Sequence, residues 1–129
     1  MTTHIVPLPW SAPPLTMNDR SHWLVKAKTT ALIRNGTCVT VTGAHLPRDL
    51  PSITVEMVYR PRDKRRRDAD NLVATFKACC DGIVDAGVVP DDTPDLMRKL
   101  MPRIVPAVKG MPGALWLEIT ETTEMGEVA

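Results

Sequence analysis

Between Ile53 and Ile83 the apolar repeat changes period across a cationic segment. Ile53, Val55, Met57 and Tyr59 alternate with Thr54, Glu56 and Val58, which predicts a strand with one buried face. Leu72, Phe76, Cys79, Cys80 and Ile83 recur at steps of three and four. At about 100° per residue they form one stripe of a helix, from about Asp70 to Ala86, with Gly87 as its stop. A chain with this block at its centre has to place a strand, a polar loop and a helix in direct succession. That is the unit from which α/β sheets are built.

The flanking segments extend the pattern. His4 to Leu8 reads as a strand and Pro9 to Asn18 as a proline-rich loop. Ser21 is a candidate cap for a helix starting near His22, with Leu24, Ala27, Lys28, Ala31 and Leu32 at helical spacing and Gly36 as its end. Thr37 to Thr42 fits either a strand or a continued helix. His45 to Pro51 and Val88 to Asp95 read as loops. Arg98 to Ala107 is strand-like, and Pro102 and Pro106 assign it to a sheet edge. After a turn at residues 109–113, Leu115, Leu117 and Ile119 predict a last strand in a hairpin. The fold class expected is α/β, a small mixed β-sheet with two main helices packed on it. Residues 1–120 form one domain and 121–129 an acidic, frayed tail.

Composition removes several function classes. With 129 residues and 43% hydrophobic content, the chain can bury roughly two-thirds of its unfolded surface in one core. Its five aromatics, Trp10, Trp23, Tyr59, Phe76 and Trp116, form no cluster in sequence, which argues against a base-stacking platform. Tyr59 and Phe76 are assigned to the core, and so are Trp10 and Trp23, with contact to a base or a dimer interface as their alternative. No stretch approaches the roughly 20 apolar residues of a membrane span, and Met1 to Pro9 lack a signal-peptide pattern. Cys38, Cys79 and Cys80 do not make a disulfide framework, and His4, His22 and His45 are scattered, so zinc spacing is absent. These features predict a cytoplasmic protein with no membrane partner and no organic cofactor.

Charge is segregated. Residues 1–67 carry +7 and residues 68–129 carry −6, within a net charge of +1. Arg60, Arg62, Lys64, Arg65, Arg66 and Arg67 place six cations in eight residues, and Asp68 and Asp70 follow at once. Cations grip a polyanion; carboxylates repel one unless they hold metal ions. Side by side, they are what a metal-dependent nuclease requires, with Mg²⁺ as the cofactor or Mn²⁺ in its place. Asp91 and Asp92 supply further carboxylates from the loop after the helix. Asp70, Lys77 and Asp81 fall within about 40° on the helix wheel, opposite the apolar stripe. The plainer alternatives stay open: Asp68 or Asp70 as a helix cap, Asp91-Asp92 as a turn, and the Asp–Lys–Asp line as a solvated helix face.

The segment Arg65-Arg66-Arg67-Asp68-Ala69-Asp70-Asn71-Leu72, followed by Lys77, Asp81, Asp85-Ala86-Gly87 and Asp91-Asp92, resembles the RusA family of Holliday junction resolvases. Leu8-Pro9-Trp10 with Asn18 resembles the family's opening, and residues 115–120 its last strand. The resemblance implies a homodimeric, Mg²⁺-dependent endonuclease that nicks two opposing strands of four-way branched DNA. It implies Asp68, Asp70 and Asp92 as catalytic metal ligands, Asp91 as a further ligand, and Lys77 as an assisting catalytic residue. Arg62, Lys64, Arg65, Arg66 and Arg67 would contact phosphates, with Asn71 and Asp81 in support. In the family pattern a lysine stands four residues after the second aspartate; here that position is Ala74, and Lys77 comes three residues later. The rival readings are a nuclease of the same fold preferring other branched DNA, a non-catalytic branched-DNA-binding module, and a protein-interaction domain with acidic and basic halves.

Overall fold

The computed structural model describes residues 2–15 and 22–122. It is a small mixed α/β protein: a five-stranded sheet and two helices. The elements are β1 (Thr3–Pro7), α1 (Trp23–Gly43), β2 (Ile53–Arg60), a 3₁₀ turn (Ala69–Leu72), α2 (Val73–Asp85), β3 (Met97–Lys99), β4 (Arg103–Ile104) and β5 (Ala114–Glu121).

The sheet order is β1-β5-β2-β3, with β4 also paired to β2. β5 runs antiparallel to β1 and β2, whereas β3 and β4 run parallel to β2. The α2 crossover makes the parallel pairing possible, because a parallel neighbour cannot be reached through a tight turn. The strand expected over 98–107 is therefore two short pieces, separated around Pro102, on the far side of β2. The expected terminal hairpin does not form. β5 instead inserts between β1 and β2, with Met57 opposite Leu117 and Val6 opposite Leu117 on its other edge.

The period-two pattern of β2 is realised on its core face, although Val58 on the opposite face is buried as well. Ile53, Val55, Met57 and Tyr59 are buried and join Leu115, Leu117, Ile119 and Val6 in one core. The helices cover this face with Ile33, Val41, Phe76, Cys79, Cys80 and Ile83. Gly87 ends the α2 region as expected, with φ of +82°, a conformation in which a side chain would be strained.

Helix α1 departs from expectation in length and in facing. It runs through Gly36 to Gly43, so Thr37 to Thr42 is continued helix. Thr30 and Thr40 donate their hydroxyls to the carbonyls of Lys26 and Gly36, which accommodates them within the helix. Gly36 ends nothing; a Cβ there would lie 2.9 Å from the Trp10 ring. The expected cap Ser21 lies outside the described residues, and His22 Nδ1 accepts the Leu24 amide instead. The buried positions are Ile33, Thr37 and Val41, whereas Leu24, Ala27, Lys28, Ala31 and Leu32 face solvent. Trp23 is also exposed, not core.

The reason is the contact with α2. A Cβ on Gly82 would lie 2.5 Å from the Arg34 carbonyl oxygen and 2.8 Å from Thr37 Cβ. The two backbones meet where both helices carry small groups, and this fixes α1's narrow face inward. Arg34 then reaches across to Asp85, Nε to Oδ2 at 2.5 Å and Nη2 to Oδ1 at 2.8 Å, in a two-point carboxylate clamp.

Candidate functional site

Strand β2 delivers the chain at Arg60 into the basic loop. Pro61 is buried, whereas Arg62, Lys64, Arg65 and Arg66 are exposed. Asp63 organises this loop. Its carboxylate accepts from the Arg65 amide at 3.1 Å and from Arg67 Nη2 at 2.8 Å. Arg67 Nη1 donates to the carbonyls of Asp63 and Arg65. Arg67 is thus folded back onto the loop; Arg62 and Arg65 also reach Asp63, at 3.6 and 3.4 Å, while Arg62, Lys64, Arg65 and Arg66 all stay exposed. The Arg67 guanidinium and the Arg65 amide hold the Asp63 carboxyl below the usual carboxylate range.

Asp68 occupies the cap position of the 3₁₀ turn, but its side chain makes no capping hydrogen bond. Its carbonyl accepts from the Asn71 amide at 3.1 Å, the first backbone bond of the turn. The carboxylate is exposed, as is that of Asp70 in the first turn. Asp68, Arg67 and Asn71 line a cavity of about 220 Å³ with Tyr59, Leu72 and Ile104. The helix proper begins only at Val73, since the residues before it take the tighter 3₁₀ form common at helix starts.

One turn along, α2 faces a second cavity, of about 330 Å³. Val73, Phe76 and Lys77 line it from the helix, and residues 99–102 line it from the edge of the sheet. Lys77 is exposed and Asp81 half-buried. Lys99 Nζ lies 3.1 Å from Asp92 Oδ2. The Lys99 ammonium holds the Asp92 carboxyl below its ordinary range. Asp91 Oδ1 accepts the Asp92 amide at 2.7 Å, so Asp91 shapes the turn that presents Asp92.

The structure thus brings Asp68 together with Arg67 and Asn71, Lys77 with Lys99, and Lys99 with Asp92. Among the described residues, no three His, Cys, Asp or Glu side chains form a group able to hold a metal ion. The donors available are carboxylate oxygens, the type Mg²⁺ prefers. That ion is commonly held by one or two carboxylates, with waters and substrate phosphate completing the shell. Asp68 and Asp70, exposed at neighbouring positions of the 3₁₀ turn, supply such a partial set; Asp92 does not complete a group with them and stands against Lys99. The thiols do not join it: burial pushes those of Cys79 and Cys80 up to about 12, and all three cysteines are free.

Sequence reasoning missed Asp63 and Lys99. The signal for Asp63 was a lone carboxylate inside a run of cations. The signal for Lys99 was a cation seven residues after Asp92, early in the strand-like segment 98–107. Among the described residues, no helix is long and apolar enough to cross a membrane. No protein-family model matches the chain, and no curated protein matches it.

Proposed function

We propose that the chain is a Mg²⁺-dependent, structure-selective DNA endonuclease that resolves Holliday junctions by symmetric nicking as a homodimer. The observation that carries this reading is the run from β2 into α2. Four exposed cations lead directly into two exposed carboxylates, neither spent as a side-chain cap.

In this reading Arg62, Lys64, Arg65 and Arg66 bind backbone phosphates and set the position of the scissile bond. Arg67, tied to Asp63, keeps the loop in the shape that presents them. Asp68 and Asp70 would hold the ion, and Asp92, presented by Asp91, would have to leave Lys99 and join them when it binds. Bound Mg²⁺, or Mn²⁺ in its place, supplies an activated water and stabilises the leaving oxygen. Lys77, exposed on α2, would offset charge that builds on the phosphate. Symmetric nicking calls for two sites related by a two-fold axis. The solvent-facing Leu24, Val25, Leu32 and Val39 of α1, each about half exposed or more, supply an apolar surface suited to a second copy.

A non-catalytic branched-DNA module is favoured by one observation: Asp92 already has a cation, Lys99, as its partner. Both readings require the basic loop to bind DNA. Replacing Arg62, Lys64, Arg65 and Arg66 together by alanine should weaken junction binding and reduce the slope of log affinity against log salt by about three to four. Fluorescence anisotropy across a salt series measures this. An unchanged slope would remove the loop from the interface.

A further inference from the structure

We propose that the cleft where β1 ends and β5 begins is a nucleotide subsite, in which an unpaired base of the DNA substrate packs on Trp10 and Trp116 and its phosphate meets Arg60. This rests on the reading of the chain as a DNA-binding protein. The cleft holds about 470 Å³, within the range of about 300–1,000 Å³ common for small-ligand sites. Trp10, Trp116, Pro7 and Pro9 give it apolar walls, and Arg60 lines it with a cation. The aromatics are dispersed along the sequence, yet the fold brings two indoles from its opposite ends to one place.

The backbone builds this cleft in advance. Pro7 stands opposite Trp116 in the β1–β5 register, and the Leu8 amide donates to the Leu115 carbonyl at 2.9 Å. The Trp10 ring is seated on α1, since a Cβ on Gly36 would lie 2.9 Å from its Cζ2. Trp116 is oriented by its Nε1, which donates to Glu118 Oε2 at 3.1 Å. The Arg60 Nε is buried without a hydrogen-bond partner, and Nη2 donates to the Pro112 carbonyl at a long 3.4 Å. A guanidinium so weakly partnered draws an anionic acceptor. Indoles stack on any base, because every base has a π-face. A nucleotide joins a planar ring to an anion and so meets both demands. A base inside a duplex has its faces already stacked, so the cleft selects one that is out of the helix. Continuity favours DNA over a peptide here: Arg60 ends β2 and leads straight into Arg62, Lys64, Arg65 and Arg66, the proposed phosphate contacts.

The test is binding of the full chain to a short thymidine strand and to an abasic strand with the same number of phosphates. Fluorescence anisotropy follows both in the wild type, Trp116→Ala, Trp116→Tyr, Arg60→Gln and Trp23→Phe. The wild type should bind the thymidine strand about tenfold more tightly than the abasic one. Trp116→Ala should lose that preference and Trp116→Tyr should keep most of it. Trp23→Phe, at an exposed position that opens α1, should keep it in full. Arg60→Gln should weaken binding of both strands and reduce the slope of log affinity against log salt by about 0.7. Equal binding of the two strands by the wild type would overturn the inference, and so would a preference that survives in a folded Trp116→Ala. If the wild type nicks junctions yet shows no preference between the strands, only the cleft fails. If it binds neither strand nor junction at low salt, the reading of the chain as a DNA-binding protein fails with it.

Discussion

Asp70→Asn should abolish nicking, by at least about 100-fold, while junction binding is kept or strengthened. Asparagine preserves the shape of the side chain but removes the charge that a divalent cation requires. The same loss removes repulsion between Asp70 and the phosphates, so affinity should not fall. The fold should survive. Asp70 is exposed in the first turn of the 3₁₀ segment, where a carboxylate contributes at most about 1 kcal/mol through the helix-end field. Nicking and gel-shift assays on the same preparation separate the two effects. A variant that binds and nicks like the wild type would remove Asp70 from the site. Lost binding together with lost nicking would assign Asp70 to the shape of the loop.

The second large effect concerns the helix pair that carries the site. Gly82→Ala should destabilise the chain by about 2 kcal/mol. The new Cβ would meet the Arg34 carbonyl oxygen at 2.5 Å and Thr37 Cβ at 2.8 Å, with both helix backbones involved. Overpacking of this kind costs about 3 kcal/mol, against about 1 kcal/mol gained in helix propensity. The expected fall in Tm is roughly 6–10 °C. Gly43→Ala is the matched control, because nothing lies within 4 Å of its Cβ position and it ends the same helix pair's longer member. It should be neutral or stabilising by up to about 1 kcal/mol. Calorimetry on both variants decides. Equal stability of Gly82→Ala and the wild type would show that α1 and α2 do not approach closely at this crossing.

Parts of this architecture were legible in the sequence for a specific reason. In β2 and α2 nearly all the buried side chains are apolar, with Thr75 the polar exception, so period-two and period-3.6 patterns report the facing directly. In α1 the two properties separate. The inward line is Ile33, Thr37 and Val41, with Gly36 against Trp10, while Leu24, Leu32 and Val39 face outward. Hydrophobicity there does not report the facing, because large apolar residues stand on both sides of α1 and Thr37 takes the close crossing with Gly82. Gly36 looked like a stop for the same reason: a glycine that admits a ring cannot be told by sequence from one that ends a helix.

The position of β5 was illegible because adjacency in sequence favours a hairpin, whereas β3 and β4 already occupy one side of β2. Asp68, Asp70, Asp91, Asp92 and Lys77 could be singled out by residue type and order along the chain. Their partners could not. Asp63 with Arg67, and Lys99 with Asp92, are contacts made by loop shape and strand register, which no local spacing encodes.

The most direct test of the proposed activity is strand nicking of a synthetic four-way junction beside linear duplex of the same sequence, with Mg²⁺ and with EDTA. Paired symmetric nicks in the junction alone, lost in EDTA, are the predicted result. Junction binding without cleavage in either condition would contradict it, and would leave Asp68, Asp70 and Asp92 as structural residues of a DNA-binding module.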